Sequence, residues 1–99
     1  MRLERKNVIA ALLLRGLDAL TNELSILEML GTITALTIKN INVVRNHRTG
    51  ISRGYAFVEM NSAEDGYKLL ETIGRLQSPL EVDGKAILAT YAKNTYSTL

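Results

Sequence analysis

The chain has 99 residues, 46% of them hydrophobic and 22% charged, and it contains no cysteine. Its length suits one domain, its composition argues against disorder, and the absence of thiols excludes disulfides and thiolate metal sites. The formal net charge of +2 permits an anionic partner without requiring one.

The first apolar run is VIAALLL, which follows a charged N-terminal segment, as the apolar part of a secretory signal peptide does. The run has only seven residues before Arg15 ends it, and no small-residue cleavage pattern follows at once. A membrane helix needs about 20 apolar residues. We therefore expect a buried strand at residues 10–15 and no association with a membrane.

The segment TNELSILEML predicts the first helix, with Thr21 as its N-cap and Gly31 as its stop. Apolar residues at helical spacing usually mark the face that packs on the core. The stripe expected to do so consists of Leu24, Leu27 and Leu30. Ile26 and Met29 lie off this stripe, and we expect them to be exposed.

The second strand is expected at residues 40–45. In it Ile41 and Val43 would face one side of the sheet, and Asn42 and Val44 the other. The segment NHRTGI that follows predicts a loop, because its glycine supplies the freedom that a turn needs.

The segment SRGYAFVEM, residues 52–60, predicts the third strand, whose side chains alternate between two faces. One face carries Arg53, Tyr55, Phe57 and Glu59. The other carries Gly54, Ala56, Val58 and Met60. Helices pack best on small and aliphatic side chains, so we expect the second set in the core and the two rings on an open face. The alternative is that the rings are core and that a terminal segment covers the sheet.

Ser62 is the expected cap of a second helix, with Asp65 three residues later in a capping-box-like arrangement. One side of this helix carries Ala63, Gly66, Leu70 and Ile73. Pro79 prevents its continuation. The Asp83-Gly84 pair predicts a small hairpin, and residues 86–92 predict the last strand.

The predicted order β-α-β-β-α-β is that of the ferredoxin-like fold, an α+β sandwich with a four-stranded antiparallel sheet. Both helices must pack on one sheet face to bury their apolar sides, which leaves the other face open. We expect an N-terminal extension at residues 1–9, the domain at 10–93 and a C-terminal tail at 94–99.

Exposed rings on an open sheet face are suited to nucleobases, because a flat ring stacks on an unpaired base and contributes about 1–3 kcal/mol per base. Arg53, on the same face, can contact phosphate or stack as a guanidinium plane. Arg45, His47 and Arg48 lie in and beside the adjacent loop. We expect this basic rim to contact phosphates, the alternative being an ordinary solvated loop.

The stretch RGYAFVEM resembles the octamer signature of the RNA recognition motif over its first six positions, with Met60 in place of the usual final aromatic residue. LLLRGL, residues 12–17, is similar to the hexamer of that family. With PLEVDGKAI and the closing YAK, the chain more narrowly resembles the second such motif of vertebrate splicing regulators that also carry zinc fingers, an OCRE domain and a G-patch. This resemblance implies a nuclear protein that influences splice-site choice.

The resemblance also implies the site. Tyr55 and Phe57 would stack on bases, whereas Leu13 occupies a hexamer position usually held by a ring. The full candidate set for RNA binding is Leu13, Arg15, Asn42, Val44, Arg48, Arg53, Tyr55, Phe57, Glu59, Leu88, Thr90 and Lys93. The implied partners are single-stranded pre-mRNA and, among proteins, spliceosomal or other proteins with this motif. We expect the isolated domain to be monomeric and to need no cofactor.

Two other functions were weighed. Residues 50–54 match the G-x-S-x-G pattern of hydrolases, but they run from a loop into a strand and His47 precedes the serine, so we expect no enzyme. His47 has no second histidine or cysteine beside which to bind a metal ion, so we expect no metal site. A protein-interaction module of the same fold remains the alternative to RNA binding. Its U2AF-homology variety carries Arg-x-Phe before the last strand, where this chain has DGKAI.

Overall fold

The computed structural model describes residues 10–92. Its elements in chain order are β1 (Ala11–Arg15), α1 (Glu23–Gly31), β2 (Ile38–Arg45), β3 (Ser52–Met60), α2 (Ala63–Gly74), β4 (Glu81–Val82), β5 (Lys85–Ala86) and β6 (Leu88–Tyr91). The main sheet is antiparallel with the strand order β2-β3-β1-β6, and β4 pairs with β5 in a separate hairpin. The predicted ferredoxin-like fold is confirmed. Among the described helices, none has the length and apolar content that a membrane crossing requires.

The core lies between the helices and one face of the sheet. β1 and β3 form the centre of that sheet, and their core-facing side chains are almost completely buried. They are Leu12, Leu14, Ala56, Val58 and Met60, each no more than 1% exposed. The alternation predicted for the third strand is thus found in β3 from Tyr55 to Met60, and the strand has the boundaries expected from the sequence. Gly54, which was expected in the core, is only half-buried and lies at a shift in the β2–β3 register.

The expected cap of α1 was wrong by one residue. Asn22, not Thr21, caps the helix, because its side-chain oxygen accepts the N–H of Ser25 at 2.9 Å. Thr21 is 1% exposed, and its hydroxyl donates to Asp83 Oδ2 at 2.7 Å. Buried hydroxyls are nearly always hydrogen-bonded. The bond between Thr21 and Asp83 joins the start of α1 to the β4–β5 hairpin.

The expected core stripe of α1 was also wrong in part. Ile26 and Leu30 are buried and Met29 packs against the core, whereas Leu24 is 62% exposed and Leu27 46%. Both sets of residues have helical spacing, so the periodicity alone does not decide which one faces the core. The rotation of the helix is consistent with a hydrogen bond between α1 and β2. The Glu23 carboxylate accepts the N–H of Val43 on the edge strand β2, so the Glu23 side of α1 lies at the rim of the sheet.

The second half of the chain follows the sequence closely. Ser62 caps α2 and accepts the N–H of Asp65 at 3.1 Å, although Leu69, outside the predicted side, is the helix's most buried leucine. Asp83 and Gly84 have φ of 52° and 77°, the positive pair that a type I′ turn requires. The last strand is only Leu88–Tyr91, shorter than the expected 86–92, because Lys85–Ala86 belongs to the hairpin. In the first half, β2 begins at Ile38, two residues earlier than expected.

Candidate nucleic-acid interface

The sheet face opposite the helices, here called the open face, presents side chains in rows that run across the strands. The middle row is set by two register pairs of Leu13, which lies opposite Phe57 on one side and Thr90 on the other. Asn42 continues the row beyond Phe57. Phe57 and Leu13 are half-buried, while Asn42 and Thr90 are exposed at the two ends. The middle row is therefore apolar at its centre and polar at its two ends.

A second row lies towards the β2–β3 loop. Tyr55 is opposite Arg15, and Arg15 is opposite Leu88. Tyr55 is half-buried, Arg15 is exposed, and Leu88 is 63% exposed. Val44 is half-buried and lies close to a register shift between Val43 and Arg45. The row thus places one ring beside one guanidinium in the middle of the open face.

The third row lies at the other end and contains Glu59, opposite Ala11 on β1 and Asn40 on β2. Lys39 is drawn to this row, since its Nζ lies 3.5 Å from Glu59 Oε2. Ala11 is fully buried together with Ala92, and Leu13 and Phe57 pack against this pair. The third row is therefore charged on the β2 side and apolar on the β1 side.

The two rings on β3 do not lie in one plane. Tyr55 and Phe57 have centroids 6.2 Å apart and planes at 85°, an edge-to-face contact. Such contacts are favourable in themselves, because the edge of one ring carries partial positive charge and the face of the other partial negative charge. The open face consequently offers two aromatic surfaces with different orientations.

Arg53 lies near the start of β3 and Arg48 in the loop before it, both on a constrained backbone. Gly54, next to Arg53, has φ of 87°, a conformation that glycine adopts without steric cost, and its carbonyl accepts the N–H groups of Gly16 and Leu17. In the loop, the Asn46 side chain accepts the N–H of Arg48 at 2.8 Å. Both arginine side chains are exposed. Local hydrogen bonds thus hold the backbone beneath two exposed cations.

Arg45 was expected in the basic rim, but the structure places it elsewhere. Its guanidinium makes a two-pronged contact with Glu23, with Nη1–Oε2 and Nη2–Oε1 distances of 3.0 and 3.1 Å. This hydrogen bond holds the pKa of Glu23 at about 2, aided by the N–H of Val43 and opposed by partial burial. The same contact raises the pKa of Arg45. Arg45 therefore joins β2 to α1, and its charge is already matched.

The remaining candidates are placed as follows. Lys93 lies outside the described residues. His47 is exposed, and among residues 10–92 no cluster of histidine, aspartate or glutamate side chains is arranged for a metal ion. Ser52 opens β3 and accepts the N–H of Gly54 at 3.0 Å, so it lies on a strand and not at a strand-to-helix turn.

Sequence reasoning missed two polar residues of the open face, Lys39 and Asn40. The strand was expected to start at Asn40, and Lys39 reaches the face only because the β2–β3 register shifts between Ile38 and Asn40. A bulge of this kind redirects a side chain and leaves no mark in simple alternation. The only signal was the acid at Glu59, which needs a cationic neighbour when it is partly buried.

Comparison with known proteins shows the family to which this chain belongs. The family model of the RNA recognition motif matches residues 12–78. RNA-binding protein 5-B of Xenopus laevis is 35% identical over 92 residues, which are 93% of this chain but only 12% of that protein. The fold is shared with the RNA15 RRM (TM-score 0.68, 18% identity, 93% of this chain and 99% of that one). It is also shared with the RNA-binding domain of Hrp1 in complex with RNA (TM-score 0.68, 22% identity, 87% and 47%). On the strength of the family match over two thirds of its length, the chain belongs to the RNA recognition motif family.

Proposed function

We propose that this domain binds single-stranded RNA on its open face, with bases stacked on Tyr55 and Phe57. The observation that carries the proposal is the position of these rings. They lie side by side on the central strand β3, half-exposed, on the sheet face opposite α1 and α2. Sequence-specific RNA recognition uses unpaired bases laid on aromatic side chains in this way.

Cations near the rings support a polyanionic ligand. Arg15 lies opposite Tyr55 in the second row, and Arg53 and Arg48 are exposed at the loop end of β3. Phosphate contacts by such side chains fix the position of the strand, while contacts to base edges determine which sequence is preferred. The backbone of the RNA would accordingly follow the β2–β3 loop and the bases would point onto the sheet.

Leu13 limits the strength of this site. It occupies the centre of the middle row between Phe57 and Thr90, where a ring would give a third stacking surface. An aliphatic side chain can contact a base but does not stack on it as a ring does. We therefore infer moderate affinity for the single domain, to be increased when a second RNA-binding module is linked to it.

The outer strands would contribute the base-edge contacts. Asn42, Thr90, Leu88 and Val44 flank the two rings and Leu13 on the open face, and Glu59 lies beyond Phe57 on β3. Lys93, which follows β6 in the sequence, completes the proposed set.

The curated relatives suggest the context. The chain spans 12% of RNA-binding protein 5-B, whose name assigns it RNA binding. We propose that this domain occupies residues 10–93, between an extension at 1–9 and a tail at 94–99. We further propose that it corresponds to the second RNA recognition motif of a nuclear splicing regulator and acts on pre-mRNA as a monomeric unit. Domains of this family are typically not enzymes, and the matches indicate no catalytic family.

A protein-interaction module is the second candidate, and one observation favours it. Leu13 and Phe57 pack against the buried pair Ala11 and Ala92, so the β1 side of the open face is apolar and could receive a peptide side chain. A peptide held by apolar contacts would bind with little dependence on salt, whereas RNA binding weakens steeply as salt is added.

The proposal is tested by fluorescence anisotropy with a labelled pool of short single-stranded RNAs and the same RNAs annealed as duplexes. We expect binding to the single strands alone, and its loss in a Tyr55→Ala/Phe57→Ala double variant. Leu24→Ala is the control, because Leu24 is a 62% exposed apolar residue on α1. Equal binding by the double variant would contradict the proposal.

A further inference from the structure

We propose that the Lys39–Glu59 pair recognises the Watson–Crick edge of a guanine stacked on Phe57. The inference rests on the proposed function, since it names the base that this part of the RNA-binding face selects. It starts from a charged pair that the stacking of bases on rings does not require.

The position of Glu59 is suitable for reading the edge of a base. It is the next open-face residue after Phe57 on β3, two residues along the strand, or about 7 Å. A base that lies flat on the Phe57 ring extends far enough for its edge to reach this position. The Glu59 side chain is only 24% exposed, so a hydrogen bond made there is better shielded from water than one at the rim.

Lys39 is brought to the same place by the irregularity of β2. The register shift between Ile38 and Asn40 places its ammonium group 3.5 Å from Glu59 Oε2, and the lysine side chain is 58% exposed. A carboxylate has about four acceptor positions and an ammonium group three donors, so each group can make several hydrogen bonds at once. The pair therefore presents acceptors and donors side by side.

Among residues 10–92, the polar neighbours of Phe57 and Glu59 across the strands lie on β2. Asn42 lies opposite Phe57 and Asn40 opposite Glu59, both exposed on β2. On the β1 side the neighbours are Leu13 and the buried Ala11, which offer no side-chain hydrogen bonds. A base on Phe57 is thus expected to turn its polar edge towards β2 and the Lys39–Glu59 pair.

Guanine fits this arrangement better than the other bases do. Its Watson–Crick edge presents N1–H and N2–H side by side, which a single carboxylate accepts together, and O6 next to them, which an ammonium group can donate to. Adenine and cytosine each offer the carboxylate one amino group. Uracil flanks its single N–H with two carbonyl oxygens, which the carboxylate repels. A paired contact to the right base discriminates by about tenfold or more over a wrong one.

We expect the Lys39–Glu59 pair to contribute little to the stability of the fold. The pair is only partly shielded, because Lys39 is 58% exposed, so we expect the domain to stay folded when either partner is substituted, which the NMR spectrum of each variant checks. A second Lys–Glu pair, Lys68–Glu64 at 3.6 Å, lies on α2 and is more exposed. Glu64→Gln is therefore a matched control for Glu59→Gln.

The test uses short RNA pools in which one position is fixed in turn as each of the four nucleotides, with binding followed by NMR chemical shifts of the folded domain. We expect the guanine pool to bind best at the position whose shifts centre on Phe57. In the best sequence, inosine, which lacks the N2 amino group, should bind about tenfold more weakly than guanine, while 7-deazaguanine, which keeps the same edge, should bind equally. In Glu59→Gln the penalty for inosine should fall to about twofold or less, and Lys39→Met should reduce the preference for guanine over adenine.

Each outcome has a separate meaning. If no pool binds, or if shifts avoid Tyr55 and Phe57, the proposed function itself fails. If pools bind at the two rings but show no preference for guanine, the inference is overturned while RNA binding stands. A guanine preference that survives in both Glu59→Gln and Lys39→Met, as it must in Glu64→Gln, overturns it equally.

Discussion

Tyr55 and Phe57 meet edge to face, with ring centroids 6.2 Å apart and planes at 85°. Two bases stacked on these rings in their present orientation would have nearly perpendicular planes. Such bases cannot stack on each other. The geometry therefore favours a strand whose neighbouring bases are splayed apart, as in single-stranded recognition, over one that keeps its helical stacking.

Replacement of Phe57 by alanine should weaken RNA binding by about 1–3 kcal/mol, because one base loses its stacking partner. Phe57 is half-buried, so the folded structure should persist, which an NMR spectrum of the variant checks. Titration of a labelled RNA gives the affinity. Leu24→Ala provides the comparison, since it also removes a partly exposed apolar side chain, but from α1. A Phe57 variant that binds as tightly as the parent would discredit the stacking role.

Replacement of Leu13 by phenylalanine should strengthen RNA binding by about 1 kcal/mol or more. Leu13 lies between Phe57 and Thr90 on the open face, and a ring there adds the third stacking surface. Leu24→Phe is the matched control, because Leu24 is an exposed leucine of α1 far from the rings. An unchanged affinity for Leu13→Phe, measured in the same titration, would mean that the base does not pass over β1.

The salt dependence of RNA affinity should distinguish the roles of Arg53 and Arg45. Binding is expected to fall with a log–log slope of about −0.7 per phosphate contacted, and Arg53→Gln should make that slope shallower by about 0.7. Arg45→Gln should leave the slope unchanged and lower the stability of the fold instead, because Arg45 is already paired with Glu23. Affinities measured over a series of salt concentrations decide between them. The reverse assignment would refute the placement of Arg45.

The Glu23–Arg45 contact should also appear in the acid stability of the domain. Because the folded-state pKa of Glu23, about 2, lies below its ordinary value of 4.5, the carboxylate stabilises the fold fully above pH 4.5, and this contribution is lost as the pH falls towards 2. Both side chains are more than a third exposed, so solvent screening keeps the contribution to about 1 kcal/mol.

Urea unfolding between pH 7 and pH 2 measures this effect. Glu23→Gln should be less stable than the parent at pH 7, and the difference should shrink as the parent's carboxylate becomes protonated. Glu28→Gln, which removes an exposed carboxylate from the same helix, is the control variant. A constant difference between Glu23→Gln and the parent across that range would show that the carboxylate's charge is not involved.

The central strands β1 and β3 are predictable from the sequence because one face of each is buried. In β3, small and aliphatic residues alternate with Tyr55 and Phe57, and a shift of one residue would place both rings in the core. The hairpin at Asp83 and Gly84 was equally clear, since few residue pairs accept two positive φ angles. The position of the two rings on the open face could therefore be predicted from local patterns, because the tertiary packing agrees with them.

What the sequence could not supply are relationships between elements. Whether Ile26 or Leu27 faces the core depends on the rotation of α1, and the contact from Glu23 to the edge of β2 bears on that rotation. The same contact removes Arg45 from the basic rim. Lys39 likewise reaches Glu59 only through a change of register. None of these three relationships has a signature in spacing or composition.

The most direct test of RNA binding on the open face is an NMR titration of the labelled domain with randomised short single-stranded RNA. The account predicts that the largest shifts fall on Leu13, Tyr55, Phe57 and Thr90, while the exposed residues of α1 and α2 stay unchanged. Shifts confined to the helices, or no shifts at all with RNA in excess, would contradict it.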